Sequence, residues 1–203
     1  MKKVISLFLT AVLLLFAGTA LAANEEALPA LQTFIQTLRS MEFPIADAAA
    51  HSEKVKKADA SLDLEDMGKK ALGPHWKEAA PEQQKEFMEL LWKLIENIAY
   101  SRSRKFLGDL PVQYGEPKPV ERGVEIETTV QKEEEALNAP ITYDLEKQAA
   151  GWKIYDIFLD GVTITEDLKF QFDQIIADSG FAGLLQRMRE RLAKAEQENT
   201  QKA

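Results

Sequence analysis

The sequence predicts an α+β fold: a curved four-stranded antiparallel sheet packed with N- and C-terminal helices in a single domain. Three observations predict it. Before residue 107 and after residue 164, apolar residues recur every three or four positions, as on amphipathic helices. Between residues 110 and 146 they alternate with polar residues, as on strands with one dry face. The stretch from Trp152 to Ile164 is apolar on both sides, so both faces must be covered. On strict alternation, Trp152, Ile154 and Phe158 point one way and Tyr155, Ile157 and Leu159 the other.

The elements follow in order. Leu28, Leu31, Phe34, Ile35, Leu38 and Met41 mark a helix that Pro44 interrupts. A more polar helix fits Ala46 to Lys57, and a short one fits Leu62 to Leu72, stopped by Gly73 and Pro74 with Trp76 in the loop beyond. Pro81 suits a first helical position. After it Phe87, Leu90, Leu91, Leu94, Ile95 and Ile98 form the strongest stripe in the chain, running on to about Phe106. Gly108 ends it, and Leu110, Val112 and Tyr114 begin the alternation before Pro117 and Pro119 break it. Val124 to Val130 and Ile141 to Leu145 are the next strands, and their short connections predict a meander. Asp160-Gly161 is a turn, Thr165 an expected cap, and Glu166 and Asp167 suit a helix start. That helix should end at Gly180, followed by a last one carrying Leu184, Leu185, Met188 and Leu192.

The chain has 203 residues, enough for one real core. Lys2 and Lys3, the apolar run Val4 to Phe16 and the small-x-small triplet Ala20-Leu21-Ala22 read as a secretory signal over residues 1–22. The folded domain is expected over 23–195, with a frayed polar tail over 196–203. There is no cysteine, hence no disulfide and no lipidated thiol. A signal without a second long apolar run points to a bacterial periplasm. Cleavage removes two lysines and takes the formal charge from −8 to −10. Such a chain is repelled by nucleic acid and by anionic lipid surfaces.

Little in the mature chain suggests catalysis. His51 and His75 are its only histidines, and no cluster has metal-ligand spacing. Nucleophile-elbow and phosphate-cradling motifs are missing, and Ser101 and Ser103 have no evident base. Asp156 is the one acid within the apolar strand, read either as a general base or as a buried hydrogen-bonded carboxylate. Glu133-Glu134-Glu135 reads as a solvated hairpin end. Arg102, Arg104 and Lys105 close the long stripe, either as cations at a helix C-terminus or as phosphate contacts.

Four segments carry a family resemblance: Asp66-Met67-Gly68-Lys69-Lys70-Ala71-Leu72-Gly73 with Trp76; Pro81-Glu82-Gln83-Gln84-Lys85-Glu86-Phe87 with Leu90 and Leu91; Gly151-Trp152-Lys153-Ile154-Tyr155-Asp156-Ile157 with Gly161-Val162-Thr163; and Gln171-Phe172 with Gly180 and Leu184-Leu185. In order and over nearly the whole mature chain, they resemble the toluene-tolerance, or MlaC-type, periplasmic phospholipid-binding proteins. The resemblance implies a nuclear-transport-factor-like cone enclosing an apolar pocket. It also implies a carrier of phospholipid between an inner-membrane ABC-type complex and an outer-membrane lipoprotein complex, which helps maintain outer-membrane lipid asymmetry. No enzymatic activity and no cofactor beyond the lipid cargo are implied. Thr163 stands where serine is more usual, and the segment from Thr165 to Phe170 is more acidic than usual.

On this reading the pocket is lined by Phe87, Leu91, Leu94 and Ile98 from the long helix, Val130, Tyr143, Ile154 and Phe158 from the sheet, and Phe172 from the helix after it. Arg102, Arg104 and Lys105 are the candidate head-group contacts, and a monomer is expected. Burying a methylene is worth about 0.8 kcal/mol, so two acyl chains represent on the order of 20 kcal/mol gross. A bilayer offers nearly the same, so direction must come from protein partners. The rival readings are a cone-fold isomerase or hydratase using Asp156, and an envelope adaptor with a filled core.

Overall fold

The computed structural model describes residues 26–132 and 137–200. The expected signal segment and Glu133-Glu134-Glu135 lie outside the described residues. Helix α1 (Ala27–Ser40) turns Leu31, Phe34, Ile35 and Leu38 inward. Helix α2 (Ala48–Asp59) starts at Asp47, whose Oδ1 accepts from the N–H groups of Ala49 at 2.9 Å and Ala50 at 3.0 Å. Helix α3 (Leu64–Leu72) is capped by Asp63, which accepts from Asp66 N–H at 3.1 Å. Trp76, expected in a loop, sits in the one-turn helix α4 (His75–Glu78).

The long stripe becomes α5 (Pro81–Leu94), a π-helical turn (Ile95–Tyr100) and α6 (Ser101–Leu107), consecutive along the chain. Pro81 is the first helical residue, as expected, and Gly108 ends α6 at φ 47°. The π turn widens the helix by one residue per turn, a local weak point in its hydrogen-bond ladder.

Strands β1 (Val112–Tyr114), β2 (Lys118–Val120), β3 (Gly123–Lys132), β4 (Leu137–Gln148), β5 (Gly151–Leu159) and β6 (Val162–Thr163) form one antiparallel sheet in the order β1-β3-β4-β5-β6. Two short strands therefore join the four expected. Pro119 does not break the sheet: β2 pairs with β3 alone, and an edge strand tolerates a missing N–H. Gly123 opens β3 at φ 103°, where an added Cβ would lie 2.1 Å from the carbonyl oxygen of Leu145.

The strict alternation expected of β5 fails. Leu145 faces Ile154 and Asp144 faces Asp156, so the register shifts by one at Tyr155. This bulge reverses the facing of every residue beyond it. Ile154 and Ile157 both pack on the inner core, whereas Phe158 pairs with Thr142 and Thr163 on the opposite face.

Helix α7 (Ile164–Thr200) is broken at Gly180, with φ 69° and ψ 176°, where the sequence placed a helix end. Its cap is Thr163 rather than Thr165: Thr163 Oγ1 accepts from Glu166 N–H at 3.0 Å, and Glu166 reaches back to Thr163 N–H at 3.5 Å. Residues 196–200, expected to fray, continue the helix. Asn199 Nδ2 donates to the carbonyl of Asn97 at 3.0 Å, tying the end of α7 to the π turn.

Two apolar cores result. The first joins α1, α2 and the start of α3 to the inner face of the sheet through Leu31, Ile35, Leu64, Met67, Ile126, Tyr143, Leu145 and Ile154. The second joins the end of α3 to α5 and α7 through Ala71, Leu72, Phe87, Leu91, Phe172, Leu184 and Leu185. Gly68 lets α3 approach α5: a Cβ there would meet Met88 Sδ at 2.8 Å.

His51 is only 6% exposed, and neither ring nitrogen has a partner among the described residues. Its ring stands edge-on to Phe43 with centroids 5.2 Å apart. Burial holds its pKa below the ordinary 6.5, against the pull of Glu96 and with the push of Lys54. The unfolded chain therefore takes up this proton at higher pH than the folded one. Stability is whole above pH 6.5 and falls as pH drops below it. In urea unfolding at pH 7.5 and 5, His51→Leu is expected to lose less stability than the parent on acidification. Equal losses would show that His51 does not titrate unfavourably in the fold.

Candidate functional site

The residues expected to line one pocket fall into two groups. Phe87, Leu91, Leu94 and Phe172 belong to or pack against the second core. Val130, Tyr143 and Ile154 belong to the first. Ile98 is half-buried on the π turn, and Phe158 lies on the other face of the sheet, beyond the bulge. The expected single hollow is thus two packed cores in this structure. Around Phe87 the space is filled by protein, with the rings of Phe172 and Phe181 at 5.6 and 6.4 Å.

The cores meet along a seam. Ile95, the first residue of the π turn, packs against both. Helix α3 straddles it too, giving Leu64 and Met67 to one core and Ala71 and Leu72 to the other. Leu94, Ile95 and Ile98 are all only half-buried. Apolar side chains left partly wet on a helix with a built-in irregularity are where a hydrocarbon chain gains most for least disruption.

Polar contacts hold the seam at its edges. Asp59, at the end of α2, accepts from Trp92 Nε1 at 2.5 Å and from the Tyr100 hydroxyl, so one carboxylate clasps both α5 and the π turn. Burial, and then this hydrogen bond, raise the Tyr100 pKa far above the ordinary phenol value. On the outer side Arg122 grips Glu146 with Nε at 2.5 Å and Nη2 at 2.6 Å, and Asp66 of α3 with Nη1 at 2.6 Å. The Arg122 hydrogen bond holds the Glu146 carboxyl below its usual pKa. Arg122 and Lys70 both lie over the Tyr155 ring, at 4.5 and 4.7 Å. The bulge turns Tyr155 out to meet them. Neither cluster was foreseen, since its members lie far apart along the chain.

Asp156 is 6% exposed and fully engaged. Oδ1 accepts from the N–H of Ile157 at 3.0 Å and of Thr165 at 3.3 Å, and Oδ2 accepts from the Thr165 hydroxyl. It anchors the first turn of α7 to β5, which is the hydrogen-bonded alternative of the two weighed for it. The basic trio is dispersed: Arg104 Nε donates to the Met41 carbonyl at 3.2 Å, while Arg102 and Lys105 are exposed. His75 bridges Glu78 and Asp173, each at 3.2 Å. No group of three or more potential metal ligands occurs among the described residues, and none of their helices is long and apolar enough to cross a membrane.

Two surface clefts flank the helices. One of about 510 Å³ lies between α1 and α2, with Gln32, Gln36, Ser40, Lys54 and Lys57 among the residues on its walls. The other, about 440 Å³, lies where α2, α3, α5 and the sheet converge, with Leu62, Leu64 and Trp92 among its walls.

The architecture is that of an α+β protein whose helices and antiparallel sheet share a divided apolar interior. Residues 30–190 match the MlaC protein family, and the chain belongs to that family. Comparison with curated proteins yields no match. Among solved structures, the chain is similar in fold to a phospholipid-binding protein from Ralstonia solanacearum determined in complex with a phospholipid. The two share 23% identity at a TM-score of 0.70, over 86% of this chain and 98% of that one.

Proposed function

We propose that this chain binds phospholipid by admitting its acyl chains at the seam between the two cores, and that it carries the lipid across the periplasm. The observation that supports this most is the seam itself: two separately packed apolar clusters that meet through Ile95 on a π turn. Membership of the MlaC family and the phospholipid-bound relative of the same fold support it further. Parting the seam exchanges protein–protein apolar contact for protein–lipid contact, so the net cost is small. Leu91, Leu94, Ile98 and Phe172 then form one wall and Val130, Tyr143 and Ile154 the other, with Phe87 behind the first.

On this reading residues 1–22 direct export. The mature monomer receives and delivers lipid at an inner-membrane ABC-type complex and an outer-membrane lipoprotein complex, and so helps maintain outer-membrane lipid asymmetry. It performs no chemistry on its cargo: Asp156, the one candidate base, already accepts three hydrogen bonds.

The direct test is native mass spectrometry of the gently purified protein, followed by lipid extraction. Co-purified phospholipid supports the reading, and its absence from protein made in a phospholipid-rich host overturns it. Leu94→Arg sharpens the test. Leu94 is half-buried, so the longer side chain can reach water while its charge stands at the mouth of the seam. The variant is expected to keep its circular dichroism spectrum and lose co-purified phospholipid. Unchanged lipid content would move the site elsewhere.

A further inference from the structure

Asp59 is the last residue of α2, and nothing local favours it there. The last turn of a helix presents free carbonyls, which suit cations such as Lys56 and Lys57 and oppose a carboxylate. Its partners are tertiary. It accepts from Trp92 Nε1 on α5 at 2.5 Å and from the Tyr100 hydroxyl at the end of the π turn.

These contacts span the division between the cores. Ala58, next to Asp59, is fully buried in the first core, and Leu91, next to Trp92, is buried in the second. Trp92 and Tyr100 bracket Ile95, the residue packed against both cores. Trp92 precedes Ile95 by three positions, so the two are neighbours on the helix surface. In the packing of helices, α2 goes with α1 and α5 with α7. The Asp59 carboxylate joins one pair to the other.

The π turn makes the double contact possible. In a regular α-helix, residues eight apart point about 80° away from each other around the axis. Hydrogen bonds from i to i+5 wind the chain less per residue, and so swing Tyr100 back toward the side of Trp92.

We propose that Asp59 is the latch of the seam: it sets how fast lipid enters and leaves, and not how much is held at equilibrium. The proposal rests on the lipid-binding reading above. Asp59 is half-buried and Trp92 is 41% exposed, so water solvates both once they have parted. Tyr100 is only 2% exposed, so its hydroxyl loses its acceptor before water reaches it. Opening is therefore opposed on the way and little penalised once complete, which is the profile of a barrier. Asp156 is the contrast. At 6% exposed it has no access to water without disruption of the β5–α7 junction, so it acts as a fixed anchor.

The test follows lipid exchange in the mature protein purified with its phospholipid. The protein is mixed with excess deuterium-labelled phosphatidylethanolamine delivered from cyclodextrin, and native mass spectrometry reads the labelled fraction with time. Asp59→Asn keeps the shape and one acceptor oxygen but loses the charge, and should exchange about tenfold faster than the parent. Trp92→Phe keeps a ring and removes the donor, and should speed exchange about threefold. Combined, the two changes should fall short of the product of their separate effects, because both act on one bond. Lipid bound per protein should be the same throughout. Asp156→Asn, weakened away from the seam, should exchange at the parent's rate, which separates a latch from a general loss of stability.

Parent-like exchange in both Asp59→Asn and Trp92→Phe would overturn the latch and leave the carrier reading intact. So would an equal acceleration in Asp156→Asn. A parent that is purified without phospholipid and takes up no labelled lipid would overturn both.

Discussion

Phe87→Ala is expected to lower the unfolding free energy of the lipid-free protein by about 3–5 kcal/mol. The side chain is fully buried at the centre of the second core. It stands perpendicular to Phe172 at 5.6 Å and tilted against Phe181 at 6.4 Å. Truncation removes its transfer free energy and leaves a cavity that α5 and α7 cannot close without moving together. The loss is read from urea unfolding after delipidation, because bound lipid adds stability by mass action and would mask part of it. A loss below about 1 kcal/mol would mean that Phe87 is not a core residue in the absence of lipid.

Asp156→Ala should cost about 3 kcal/mol, since it leaves three donors without an acceptor in a nearly dry site. Those donors are Ile157 N–H, Thr165 N–H and the Thr165 hydroxyl. Two of them belong to the first turn of α7, so the change loosens the junction between β5 and the helix that closes the second core. Asp156→Asn keeps one carbonyl oxygen for Thr165 and should cost roughly half as much. Both variants, assayed at a temperature where they are folded, should hold as much phospholipid as the parent. A stable Asp156→Asn that had lost turnover of some small substrate would instead revive the catalytic reading.

The helices were legible because their signals are local. Apolar spacing, Pro81 at a first turn and Gly73, Gly108 and Gly180 at helix ends each act within a few residues. The central strands were legible for the same reason, as Val124, Ile126 and Val130 alternate with residues facing water. The alternating run does end before Pro117, but the short strand at Pro119 was not foreseen, because a proline forbids a central strand but not an edge, and edge position is a property of the assembled sheet. The polar composition of the tail does not reveal that Asn199 finds a carbonyl on the π turn.

The candidate site's residues were legible as buried apolar side chains but not as an arrangement. Periodicity assigns Leu94 and Ile154 to buried faces, but it does not say whether those faces meet. The bulge at Tyr155 is one residue of slip, invisible in a strand that is apolar on both sides, and it alone turns Phe158 away from Ile154. The Arg122 clamp depends on pairing across 56 residues to Asp66 and 24 to Glu146.

By itself, the sequence determined the fold class, the order of elements, the buried sides of the helices and, through four motifs, the family. Those are encoded in short-range spacing, where a residue's neighbours along the chain set its environment. Only the tertiary structure decided that the interior is divided in two, with a π turn at the division. These features arise where segments distant in sequence come into contact, and no short-range pattern specifies which apolar surfaces will touch.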